Sequence, residues 1–300
     1  MKAEAVATDS SRPPAKLRLS RLATRIRRSP LARNRAALVG LLLLLPIVIM
    51  TIAPWALTGL HPNITDLAGS LRFPGEQHIL GTDKLGRDVW TRIVYGARPT
   101  LLGALVVILV SGVIGIPLGL IAGYYGGRVD FTATRILDAL LAFPALLLAI
   151  LVVSTFGRGL QTVVLALGVI YVPAMARLVR SVTLVQRSQA YVDAGIALGY
   201  SDRRILFRHV LPNLVPSIVI QSTMDLAYAI LDIAALSFLG LGQQPPDPDW
   251  GSMLSDGRAY LLQNPWPALS AGLAIMVAVI CFNLVGDGLR SQLDPRERER

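Results

Sequence analysis

The fold class predicted for this 300-residue sequence is an all-α integral membrane protein with six transmembrane helices. Three observations predict it: 53% of the residues are hydrophobic, only 16% are charged, and the apolar residues gather into long stretches. An apolar helix needs ~20 residues to cross a bilayer, because in hydrocarbon every backbone N–H and C=O must be paired within the segment. Six stretches approach that length, at 36–57, 101–124, 136–156, 160–176, 214–240 and 268–285. The chain then divides into a basic tail (1–35), a first anchor (36–57), a long loop (58–99), a five-span core (100–290) carrying a polar loop at 190–213, and a short tail (291–300).

The tail is rich in Arg, Ser and Pro and reads as disordered, its charge suited to anionic headgroups. The first stretch follows Arg25, Arg27, Arg28, Arg33 and Arg35 as a signal peptide would, but it is too long and Thr51 to Trp55 offers no small-residue cleavage site. It reads as a retained anchor. With both termini inside, 22 of the 29 Lys and Arg residues fall on the inner side, the pattern of positive charge retained in the cytoplasm. The net charge of +10 is therefore a topology signal and not the footprint of a nucleic-acid binder, since the basic residues flank apolar runs.

Between the first two spans, Gly81, Thr82, Asp83 and Gly86 predict a turn-rich polar connection, and Gly96 with Pro99 marks the approach to the second span. After the fifth span, Pro245, Pro246 and Pro248 forbid regular helix and predict a rigid outer loop. Cys281 lies alone in the last apolar stretch, so no intrachain disulfide or cysteine-ligated metal is available. His61, His78 and His209 all fall in loops, which argues against a membrane enzyme with buried acid–base groups. No GxxxxGK[ST] phosphate loop is present.

The inner loop YVDAGIALGYSDRRILFRHVLPN, Tyr191 to Asn213, reads as helix, turn, helix. Val192, Ile196 and Leu198 form an apolar side before a turn at Gly199. Ser201 and Asp202 are placed to cap a second helix, Ile205, Leu206 and Val210 form its apolar side, and Pro212 stops it. Arg203, Arg204 and Arg208 would face acidic partner residues or lipid phosphates. In the fifth span, Asp225 and Asp232 are seven residues apart and so share a helix face. Carboxylates at membrane depth are costly unless solvated or paired, which makes both candidates for a substrate path.

The inner loop resembles the EAA loop of ABC importer permeases: Glu-Ala-Ala, three residues, Gly, nine residues, an apolar residue, one residue, Leu-Pro. Asp193, Ala194 and Gly195 stand at the first three positions, Gly199 at the Gly, His209 at the apolar position, and Leu211 and Pro212 at the close. HILGTDKLGRDVWTRIVYGARPTL (His78 to Leu101), ALSFLGLGQQPPDPDWGSMLSDGR (Ala235 to Arg258) and GDGLRSQLDPR (Gly286 to Arg296) resemble signatures of the dipeptide, oligopeptide and nickel subgroup. The departures are Asp193 for Glu, Gly195 for Ala, His209 for an apolar residue, and Ile233 where similar permeases carry a Glu before Ala-Ala-Leu, so that Asp232 is displaced from that position by one residue.

The resemblance implies a type I importer permease in the bacterial cytoplasmic membrane, with the inner loop as a coupling helix seated in a groove of an ATPase subunit. It implies as partners a second, homologous permease, two ATP-binding subunits that hold the ATP and Mg, an extracytoplasmic substrate-binding protein and the lipid bilayer. This chain would carry no catalytic site and no cofactor or metal of its own. Nickel or glutathione import is the alternative within the family, and an ion-coupled carrier using Asp225 and Asp232 is the alternative outside it.

Overall fold

The computed structural model describes residues 35–293. The basic tail ahead of Arg35 and the residues after Leu293, including the end of the third signature, lie outside the described residues. Ten α-helices carry the described fold, and its only β pairing is a single bridge between Thr82 and Asp88. In chain order they are α1 (Arg35–Ile52), α2 (Val89–Tyr125), α3 (Gly127–Leu141), α4 (Ala145–Phe156), α5 (Leu160–Arg187), α6 (Ala190–Ala197), α7 (Asp202–Ile205), α8 (Leu211–Phe238), α9 (Trp250–Arg258) and α10 (Trp266–Leu293).

Four helical segments are long and apolar enough to cross a membrane: α2, α5, the run Asp202–Phe238 that ends in α8, and α10. The pair α3 and α4 makes a fifth if counted as one span. The first expected span, 36–57, is helical only as the 18-residue α1, with a 3₁₀ turn at Pro54–Ala56. The third expected span, 136–156, is not a single helix, because α3 and α4 meet at an 82° bend. Pro144 causes it, since proline has no N–H to give the preceding turn and disfavours helical φ/ψ in the residue before it. Pro144 becomes the N-cap of α4.

Helix α2 begins twelve residues before the expected span because Asp88 caps it, its Oδ2 accepting from Thr91 N–H at 2.7 Å. Its 37 residues make a rod of about 55 Å, far longer than a hydrocarbon core of about 30 Å. Gly115, Gly119 and Gly123 recur every fourth residue on the face that meets α5. A Cβ at Gly119 would stand 2.4 Å from Ala176 O, and one at Gly123 would stand 2.7 Å from Thr183 Cβ. The missing side chains let the two backbones touch, the small-residue packing that membrane helices use in place of a hydrophobic drive.

The main core gathers Ile93, Val107, Leu167, Ile230, Ile233, Leu236 and Trp250 from α2, α5, α8 and α9, with Cys281 of α10 buried among them. At one end of the bundle, here the cap end, residues 53–88 and 239–265 fold over the helix ends. At the other, the foot end, α3, α6 and α7 surround the lower ends of α2 and α5. The polar connection read at Gly81 to Gly86 is a tight turn at the cap end: Gly86 has φ +72°, and a Cβ there would collide with the Asp66 backbone.

Candidate coupling surface and intramembrane carboxylates

Helix α6 ends as the sequence leads one to expect, and the backbone shows why. Tyr200 N–H reaches back to Gly195 O at 3.0 Å and Gly199 N–H to Ile196 O at 2.9 Å, the paired bonds of a Schellman motif. Gly199 takes φ +74°, a left-handed conformation that costs other residues. Nothing lies within 4 Å of where its Cβ would be, so Gly199 serves the turn and not a close approach between helices.

The second helix expected between the Ser201–Asp202 cap and Pro212 is present in altered form. Ser201 is the N-cap of α7 by its backbone carbonyl, which accepts from Ile205 N–H, but neither its side chain nor that of Asp202 caps the helix. Asp202 Oδ1 instead accepts from Tyr124 OH at 3.0 Å, tying α7 to the end of α2. Pro212 does not stop the helix. The backbone widens into a π turn over Leu206–Val210, with Leu211 N–H bonded to Leu206 O, and then runs on as α8. The wider turn accommodates the proline ring in the first turn of α8, where its missing N–H costs little. Asn213 Nδ2 donates to the His209 carbonyl at 2.8 Å.

Burial splits the segment into a root and an outward face. Val192, Ile205, Leu206, Val210 and Leu214 pack with Leu120, Tyr124, Met175 and Val179 into a second core at the foot end. The apolar side expected of α6 is divided: Val192 is buried, whereas Ile196 and Leu198 project outward, Leu198 with 70% of its surface exposed. Around them Asp193, Ala194, Ser201, Asp202, Arg203, Arg204 and Arg208 are exposed, while Gly195 is buried against the root. Phe207 is a further exposed apolar residue. Arg204 lies over the Tyr200 ring, its guanidinium carbon 3.9 Å from the centroid, and the His209 ring stacks on Tyr200 at 5.8 Å and 11°. His209 Nε2 is buried without a hydrogen-bond partner, so the imidazole is held by its face. Tyr200 and Tyr124 were missed from sequence, and adjacency to Gly199 was the only signal for Tyr200.

The carboxylates of α8 have neutral partners. Asp225 is 5% exposed, with Oδ1 accepting from Gln221 Nε2 at 2.8 Å and Oδ2 unpartnered. Asp232, half-buried, accepts from Tyr171 OH of α5 at 2.7 Å. That bond joins α5 to α8 one side-chain length from the Asp232 backbone, and Asp225 lies about two turns earlier on α8. Tyr171 could have been noted as the one phenol within the fourth apolar stretch. Asp138 and Asp130 of α3 pair with Arg177 and Arg180 of α5 near the foot end. No group of three or more His, Cys, Asp or Glu that could hold a metal ion occurs among the described residues.

The family described as the binding-protein-dependent transport system inner membrane component matches residues 115–299. The chain is 43% identical over 266 residues to the dipeptide transport system permease protein of Alkalihalophilus pseudofirmus, covering 89% of this chain and 88% of that one. It is 44% identical over 267 residues to a putative peptide transport system permease protein of Brucella abortus, covering 89% and 90%. It is 43% identical over 272 residues to the glutathione transport system permease protein of Escherichia coli O1:K1, covering 91% and 88%. Among solved structures, a chain of the inward-facing MetNI methionine ABC transporter superposes with a TM-score of 0.57 at 20% identity, over 68% of this chain and 96% of that one, a likeness of fold. A helical bundle with membrane-spanning apolar helices, matched over most of its length by transport permeases, belongs to the family of binding-protein-dependent transport system inner membrane components.

Proposed function

We propose that this chain is the pore-forming subunit of an ATP-driven importer of di- or oligopeptides. The relatives are named for dipeptide, peptide and glutathione transport, and glutathione is itself a short peptide. The segment 190–213 acts as the coupling element. The observation that carries this reading is its split between a buried root and an outward face that bears Ile196, Leu198 and Phe207 beside Arg203, Arg204 and Arg208. Apolar knobs ringed by cations fit a groove on an ATPase subunit with an acidic rim, and the root relays that subunit's movement to α2 and α5.

In this reading ATP and Mg sit on two partner ATPase subunits, a second permease completes the pore, and a substrate-binding protein docks at the cap end. Both termini and the foot end are cytoplasmic, and the five-span core from 100 to 290 is the working unit. Asp225 and Asp232 lie on the substrate path, where carboxylates at depth suit the ammonium of a peptide. The test is ATP hydrolysis by the co-purified complex, with and without its binding protein, for the native chain and Gly199→Arg. Loss of the stimulated hydrolysis with assembly intact is the expected result; unchanged stimulation, or a preparation lacking any ATPase, would refute the coupling role.

A further inference from the structure

Between α2 and α5 a groove of about 550 Å³ opens on the side of the bundle. Its walls are apolar: Pro99, Leu102, Gly103 and Val106 from α2, and Leu160, Val164 and Leu165 from α5. Gly103 lies at its floor, where α2 packs closely on α5 and α8. A Cβ there would stand 3.2 Å from both Val164 Cγ2 and Ile233 Cδ1, so these two side chains close the floor beneath the groove.

The polar lining consists of two residues, Arg98 and Gln161, both exposed and neither hydrogen-bonded nor ion-paired through its side chain among the described residues. They sit together at one end of the groove. Gly159, two residues before Gln161, donates to Leu241 O in the cap, and Ile93, just over a turn before Arg98, accepts from Trp250 Nε1 of the cap. The cation and the amide therefore lie where the polar cap gives way to the apolar flank, which is headgroup level. Arg98 to Val106 spans about 12 Å along α2. Below the mouth the flank continues apolar through exposed Leu105, Leu109 and Val169.

A cation and an amide donor above an apolar trough are complementary to a phosphodiester carrying a hydrocarbon tail. We propose that this groove is a phospholipid site, with one acyl chain between α2 and α5 and the phosphate on Arg98 and the Gln161 amide. An unpaired guanidinium at this level gains a counter-ion, and the apolar walls of the trough are covered by the acyl chain. A helix of the second permease would fill the trough but would have to bring an acidic group to Arg98.

The test uses the whole complex in membranes containing phosphatidylglycerol, with the photo-crosslinking residue p-benzoylphenylalanine at Leu165. Irradiation is expected to give an adduct of phospholipid mass, at least five-fold reduced by Arg98→Gln, retained by Arg98→Lys, and lost with Val106→Trp, which fills the trough. A crosslink to another polypeptide overturns the proposal in favour of a protein-covered face. A lipid adduct indifferent to Arg98 overturns it in favour of ordinary boundary lipid, and no adduct at all means that the groove is empty.

Discussion

The two ends of the bundle are held by different chemistry. At the cap end the guanidinium of Arg92, 4% exposed, donates from Nη1 to Pro62 O at 3.1 Å and to Asn63 Oδ1 and Pro246 O at 3.3 Å, joining two loops that are far apart in sequence. Asp83 gathers Leu85 N–H, Arg87 N–H and Arg87 Nε, and Asn264 Nδ2 holds the Leu71 and Arg72 carbonyls. Asp249, the N-cap of α9, is fully buried, and that burial pushes its carboxyl up from the usual carboxylate range. At the foot end α6 and α7 are rooted mainly by apolar packing, with side-chain bonds from Tyr124 to Asp202 and from Tyr191 to Gln186, while α3 is held to α5 by the Asp138–Arg177 and Asp130–Arg180 pairs. Hydrogen bonds fix a geometry by direction, whereas apolar burial is non-directional. The cap is held by directional bonds to buried groups and the roots of α6 and α7 chiefly by burial.

The largest effect is expected where that contrast is sharpest. Arg92→Ala leaves the buried Pro62 carbonyl without its donor and takes a cation from Asp83, and should cost about 3 kcal/mol, seen as a lowered Tm of the purified complex. A Tm within a degree of native would mean that the cap is not polar-stapled. Gly199→Val forces a β-branched residue into the left-handed region and should cost about 1–2 kcal/mol, confined to the foot. Hydrogen exchange should quicken at residues 190–201 and stay unchanged at 53–88, with Gly199→Asn near native because Asn tolerates that conformation. Equal behaviour of Val and Asn would exclude the backbone explanation.

Tyr124→Phe should be smaller, about 1 kcal/mol, because it removes one bond to an exposed carboxylate. It should speed exchange at 200–213 while the Tm barely moves; a large fall in Tm would make the foot as rigid as the cap. The smallest effect is expected from Lys84→Met, which breaks the partly exposed pair with Asp256 at the cap. Surface pairs contribute about 0–1 kcal/mol. A loss as large as that of Arg92→Ala would show that exposure does not grade the cap contacts.

How much of this was legible in the sequence follows the same division. Apolar length located α2, α5, α8 and α10, because hydropathy is a property of a segment and needs no knowledge of neighbours. It misread 136–156, where Pro144 turns the chain and length alone says nothing about direction. In the foot, the Gly199 turn was legible from one residue type at one position. The fate of Ile196 and Leu198 was not: an apolar residue signals burial without naming the surface that buries it, and these two face away from their own chain. The Tyr124–Asp202 and Tyr171–Asp232 bonds join residues 78 and 61 apart, beyond any local pattern. Asp202 looked like a cap because capping is the short-range use of an Asp, and a long-range partner took it.

The π turn that carries the chain through Pro212 has a geometric consequence. From Asp202 to Phe238 the helix is continuous for 37 residues, a strut of about 55 Å. A pivot of roughly 5° about one end sweeps the other through about 5 Å, the length of a helical turn. Had Pro212 broken the helix, the joint would have absorbed that rotation; unbroken, the strut delivers it past Asp225 and Asp232 to the edge of the cap.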